Sequence, residues 1–181
     1  MASVVDPGTP NRVGLRYGQI SELTVVVPLK AGGVESLRAK LKTVDNGSGR
    51  FTGADAVGTL HDMRFVILAD SNTLLFATTY DGDWDSYIAD FATKIPDAMD
   101  YFFSDVDGWP GIHSPAVYDF IAQHQIPADA WYVAYPDETV TSIRNAVKLR
   151  NALNVLFDAA SADPKLRDAL SVLIDAAAAG H

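Results

Sequence analysis

The sequence predicts an α+β domain, an antiparallel sheet with its helices grouped on one face, followed by two further helices. Three observations carry this. Short β-branched runs and longer segments with helical spacing alternate along the chain in the order β-α-β-β-α-β. The strand candidates are apolar on both faces, as Val25/Val26, Phe65/Val66 and Leu74/Leu75 show. The 181 residues are 48% hydrophobic and 20% charged, values of an ordinary globular chain long enough for one domain with an appendage.

The first eighteen residues hold Pro7, Gly8, Pro10, Gly14 and Gly18 and no apolar run. Without the basic start and apolar stretch of a secretory leader, this segment reads as a mobile arm (residues 1–20) on a cytoplasmic protein. Leu23–Leu29 is a strand closed by Pro28. Gly32-Gly33 opens a helix with Val34, Leu37 and Leu41 on one side, and the Asp45–Gly49 loop ends it. In the next strand, strict alternation sends Val57, Thr59, His61, Met63, Phe65 and Ile67 one way. Leu60, Asp62, Arg64, Val66 and Leu68 go the other. A turn at Asp70–Asn72 makes Thr73–Tyr80 its hairpin partner. A helix then starts at Asp83 or Asp85 with Tyr87, Ile88, Phe91 and Ile95 as its stripe, and Pro96 breaks it before Ala98–Phe103.

Gly108-Trp109-Pro110-Gly111 forms a turn, and Ser114-Pro115 caps a short helix bearing Val117, Ile121 and His124. Ala130–Tyr135 is the expected last strand, closed by Pro136, which completes the split βαββαβ order of a ferredoxin-like sheet over residues 21–136. Residues 137–181 are expected to form a helical hairpin packed on that domain. Its first helix carries Ile143, Val147, Leu153 and Leu156, the connection lies between Asp158 and Asp163, and Asp163-Pro164 starts a second with Leu166, Leu170, Leu173 and Ala177. Both sheet faces need burial, so either a second copy of the sheet covers the outer face, giving a homodimer with a cavity, or the C-terminal hairpin does.

Composition excludes several function classes. There is no cysteine, hence no disulfide, thiolate nucleophile or cysteine-held metal. Fourteen Lys and Arg against twenty-three Asp and Glu give a net charge of −9, which argues against nucleic acid and anionic membranes as partners. No apolar run approaches the length of a membrane span. Phosphate-loop, dinucleotide, serine-hydrolase and zinc-protease motifs are all missing. Asp81, Asp83 and Asp85 alternate as in a calcium loop, but the required glycine and terminal acid are misplaced, so no metal site is expected. The eight aspartates between Asp81 and Asp107, with only Lys94 among them, read as helix caps and a solvated acidic face.

The His61…Arg64 strand, Leu75-Phe76…Tyr80-Asp81-Gly82 and the Gly108–Gly111 turn together resemble a bacterial group within the dimeric α+β barrel superfamily. That superfamily includes cofactor-free monooxygenases, chlorite dismutases and dye-decolourising peroxidases. The resemblance covers about Leu23 to Tyr135. It implies a dimeric barrel holding an apolar or aromatic small molecule, with either no cofactor or a haem, and an activity of oxidoreductase type. A non-catalytic dimerising or ligand-binding module is the alternative.

Candidate catalytic residues are His61 and Arg64. His61 is a potential base, hydrogen-bond donor or axial ligand, as histidine is the side chain suited to proton exchange near neutral pH. The plain alternative is a buried neutral histidine bonded to a neighbour. Alternation puts Arg64 on the opposite face from His61, where Asp62 can pair with it, and the resemblance is what keeps it in the site. Phe65, Tyr80, Trp109, His113, Trp131 and Tyr135 are the candidate ligand-binding residues, suited to an aromatic cavity with a loop histidine at its rim. Aromatic core packing and an ordinary surface histidine are the alternatives. His124 reads as a half-buried structural histidine and His181 as a terminal remnant.

Overall fold

The computed structural model describes residues 14–43 and 53–178, with side chains through Val172. The first thirteen residues, the Asp45–Gly49 loop, the side chains of Leu173 and Ala177, and His181 lie outside the described residues. No helix among the described residues is long and apolar enough to cross a membrane. The chain forms two compact units, Met1–Val140 and Thr141–His181.

The first unit is an α+β structure on a four-stranded antiparallel sheet, in general keeping with a ferredoxin-like arrangement. Strands β1 (Arg16–Tyr17), β2 (Ile20–Pro28), β3 (Leu60–Leu68) and β4 (Thr73–Asp81) lie in the order β1-β2-β4-β3. The sheet therefore begins inside the segment expected as an arm. Helices α1 (Gly33–Leu41), α2 (Trp84–Lys94), α3 (Pro96–Phe103) and α4 (Val117–His124) complete the unit. Period-two patterning gives β2 and β4 one mostly apolar face: Leu23, Val25 and Val27 pair with Thr78, Phe76 and Leu74. Helical spacing aims Leu37 of α1, Ile88 and Phe91 of α2, Phe103 of α3 and Ile121 of α4 into the same core. Each such side chain contributes roughly 1.5–3 kcal/mol by leaving water.

Local chemistry sets the helix ends. The Asp83 carboxylate accepts the Ser86 amide at 2.9 Å and starts α2. Pro96 cannot continue a helix, so α2 stops at Lys94 and the proline opens α3. The Ser114 turn comes before α4 rather than capping it: the Ser114 carbonyl accepts the Val117 amide at 3.0 Å, and the helix begins at Val117.

The expected strand over Ala130–Tyr135 is not formed. Strand β1 takes the free edge of β2 at Ile20 and Ser21, and Gln125 makes a single bridge to Val25. The Ile126 amide reaches the Thr24 carbonyl at 2.9 Å, and Pro127, which lacks an N–H, ends the ladder there. Residues 128–139 form a strap instead. It is tied down by the Ala128 amide on Glu22 Oε1 (3.2 Å) and by the Gln19 amide on the Pro136 carbonyl (2.8 Å).

The sheet's second face is mixed, with Glu22, Thr24, Asp62, Arg64, Thr79 and Asp81 beside its apolar residues. Ala77 is buried, Val26 and Leu75 are half-buried, and Val66 and Leu68 on the edge strand β3 are each 42% exposed.

The second unit holds most of helix α5 (Val140–Ala162) and all of α6 (Pro164–Ala178). The link expected at Asp158–Asp163 is helical up to Ala162, because Ala159, Ala160 and Ala162 favour helix and only Pro164 stops it. Asp163 starts α6, its Oδ1 accepting the Lys165 amide at 2.9 Å. Leu156, Ala160, Leu166 and Leu170 face inward, whereas Ile143, Val147, Leu153 and Phe157 stay largely exposed.

Candidate functional site

Strand β3 departs from regular alternation at one point, and that point is His61. Leu60 pairs with Tyr80 and Asp62 with Thr79, so β3 carries one residue more than β4 across this step, a β-bulge. Leu60 consequently joins the core face beside Tyr80. His61 is turned the other way. Its Nε2 lies 2.7 Å from Oδ1 of Asp81, which projects from the second face together with Ala77 and Thr79. The expectation that His61 shares the face of Met63, Phe65 and Ile67 is overturned by the bulge, and with it the placement of His61 and Arg64 on opposite faces.

Asp81 uses both carboxylate oxygens. Oδ1 meets His61, and Oδ2 accepts the Val140 amide at 2.8 Å. Strand pairing and the Asp81 amide's bond to the Thr59 carbonyl (2.9 Å) fix the backbone below it. Gly82 follows at φ 90°, a left-handed conformation that lets β4 turn directly into the Asp83 cap of α2. The His61 and Asp81 side chains are only 16% and 11% exposed. An ionised carboxylate only accepts hydrogen bonds, so Nε2 must carry the hydrogen facing it. In the neutral ring the lone pair is then on Nδ1. A carboxylate that fixes the tautomer and steadies the charged ring is the arrangement a histidine base requires. Sequence reading missed Asp81. Its place in the Tyr80-Asp81-Gly82 motif was the available signal, but its proximity to His61 depends on the bulge.

Arg64 is a surface group. It pairs with Asp62 at 3.4 Å, both side chains are about half exposed, and such a pair contributes little. Phe65 packs on Phe76 and Phe102 on the covered face, at centroid distances of 4.9 and 5.4 Å. It borders an apolar depression of about 320 Å³, open to solvent, with Met63, Ile95 and Met99 among its walls. That depression and the His61–Asp81 pair lie on opposite faces of β3. Tyr80 is fully buried and stacked on Tyr87 at 3.9 Å. Burial pushes both phenols well above the usual tyrosine range.

Trp109 belongs to a structural cluster with Phe103 and Phe120. Asp100 holds it there, accepting the indole N–H and the Ile112 amide at 2.8 Å each. His113 sits exposed on the loop that follows. Trp131 and Tyr135 are on the strap, Trp131 half-buried against Tyr17 at 5.7 Å and Tyr135 73% exposed. The structure therefore gathers Tyr80, Phe65 and Trp109 around the core and disperses the other candidates, and it places Asp81 rather than Arg64 beside His61.

Among the described residues no group of three or more acidic and histidine side chains could hold a metal. His61 meets Asp81 through Nε2 and keeps Nδ1 for an iron or a proton, whereas His124 Nδ1 bonds the Phe120 carbonyl at 2.8 Å with its ring against Phe120. Compared with known protein families, curated proteins and solved structures, the chain matches none.

Proposed function

We propose that this chain is a small cofactor-free enzyme of oxidoreductase type, in which His61 takes a proton from an apolar or aromatic substrate. The observation that carries the reading is the His61–Asp81 pair at 2.7 Å on the sheet face that also carries Val26, Val66, Leu68 and Leu75. Nδ1 would accept the proton of an acidic C–H or O–H group, Asp81 would stabilise the imidazolium, and the substrate anion would be the species that dioxygen oxidises. The resemblance to the dimeric α+β barrel superfamily supports the same reading. On this reading a homodimer closes over Val26, Leu75, Val66 and Leu68 and supplies the apolar walls that one sheet lacks. The C-terminal helices, with Ile143, Val147, Leu153 and Phe157 outward, would pack on that dimer or close one end of its cavity.

The test is oxygen uptake with a panel of hydroxylated aromatic quinols. Wild type should turn over at least one, and His61→Gln should lose roughly 10²–10⁴-fold in rate with the fold intact. Sedimentation should show a dimer at micromolar concentration. No uptake with any compound, together with a monomer, would overturn the reading.

One observation favours a second reading, a non-catalytic dimerising or ligand-binding module. Because Asp81 also holds the Val140 amide, the pair can serve as a tie between β4 and the start of α5. On that reading His61→Gln lowers stability by roughly 1 kcal/mol and abolishes no reaction.

A further inference from the structure

Strand β4 ends where the first unit must hand the chain to the second, and one carboxylate serves both places. We propose that Asp81 couples the state of the His61 site to the start of α5, so that a small ring-shaped ligand engaging His61, or taking its place, changes how firmly the first turn of α5 is held. Val140 is both the first residue of α5 and the last residue of the first unit. Its amide, one of the helix-start donors with no partner inside the helix, ends on Asp81 Oδ2 at 2.8 Å. The other oxygen ends on His61 at 2.7 Å.

The carboxylate is a rigid plane, so the His61 bond at Oδ1 keeps Oδ2 aimed at the Val140 amide, and losing one anchor frees the plane to turn away from the other. The backbone beneath cannot absorb that turn, because the Asp81 amide is bonded to Thr59 and its strand partner is Ile20. His61 sits on a bulge, where the backbone is least constrained by the ladder, and so is the member of the chain that can move. Linkage makes the coupling reciprocal: whatever orders the start of α5 also orders the His61 ring. Asp81 is thus a positioning residue acting in two directions. The inference rests on the reading of His61 as a ligand-facing group.

Amide hydrogen exchange at Val140 in the full chain is the direct readout, with imidazole as the probe. In His61→Gly the carboxylate loses its second anchor, and Val140 exchange should rise roughly tenfold, as for loss of one charge-assisted hydrogen bond. Millimolar imidazole, filling the vacated ring position, should restore it. Asp81→Asn should show the same rise, and imidazole should not reverse it. His61→Gln, which keeps a donor and leaves no hole, should fall between wild type and His61→Gly and secures the result if the glycine variant fails to fold. Unchanged Val140 exchange in both His61 variants overturns the coupling, as does a rise that imidazole leaves untouched. Oxygen uptake reports separately on the proposed enzymatic role, so the two ideas can fail independently.

Discussion

The two faces of the sheet are made from the same three long strands and differ in how they use their polar groups. On the covered face polar atoms are few and mostly spent on packing: Thr78 bonds the Tyr87 hydroxyl, and Trp84 donates to Gln125 at 2.8 Å. On the second face they are arranged around two carboxylates. Glu22, only 5% exposed, ties the chain at Leu15 and Ala128, and Asp81 ties His61 and Val140. A fully packed face tolerates no movement, so the proposed chemistry is assigned to the face with half-filled apolar positions and a satisfied polar pair.

Substitutions on the two faces should separate stability from function, and the largest effect belongs to the covered face. Phe76 is 2% exposed and packs against Phe65, Phe91 and Phe103, so Phe76→Ala should cost about 3–5 kcal/mol in urea unfolding. A loss below about 1 kcal/mol would mean that this face is not one packed core. Asp100→Ala removes the acceptor for both the Trp109 indole and the Ile112 amide. A loss of about 2 kcal/mol is expected, with red-shifted tryptophan emission as the indole meets water.

On the second face, His61→Gln should cost only about 1 kcal/mol while removing any turnover. A stability loss as large as that of Phe76→Ala would class the histidine with the core. Arg64→Ala should change stability by less than about 0.5 kcal/mol, because it and its partner Asp62 are both solvent-exposed.

The smallest effect concerns acid. The Ser86 backbone amide bonded to Asp83 holds that carboxyl below the usual carboxylate range. A lowered folded-state value means stability that is present above the ordinary range and lost as pH falls through it. Asp83→Asn should therefore flatten the acid limb of a stability profile slightly.

Much of the fold could be read from residue spacing. The alternation in Leu74–Tyr80, the stripe Tyr87-Ile88-Phe91 and the proline at 96 each have one good structural solution, and each is realised. Ala130–Tyr135 has the composition of a strand, but strand formation needs a free edge. Pro127 and the short β1 remove the one on offer, and neither contact is visible in a local window. The site was legible only in part. His61 could be chosen by residue type, but its face is decided by a single extra residue in β3, and a bulge has no signature in period-two counting. The Tyr80 and Trp109 motifs were conspicuous for a different reason: their aromatic rings and fixed turns serve the core.

The central claim is that Asp81 fixes His61 with Nδ1 as the basic nitrogen. Long-range ¹H–¹⁵N correlation of the His61 ring, at a pH where the imidazole is neutral, tests it directly. The account predicts a protonated Nε2 and an unprotonated Nδ1 in wild type, and a mixture of the two tautomers in Asp81→Ala. A wild-type ring protonated on Nδ1, or the same Nε2-protonated pattern without the Asp81 carboxylate, would contradict it.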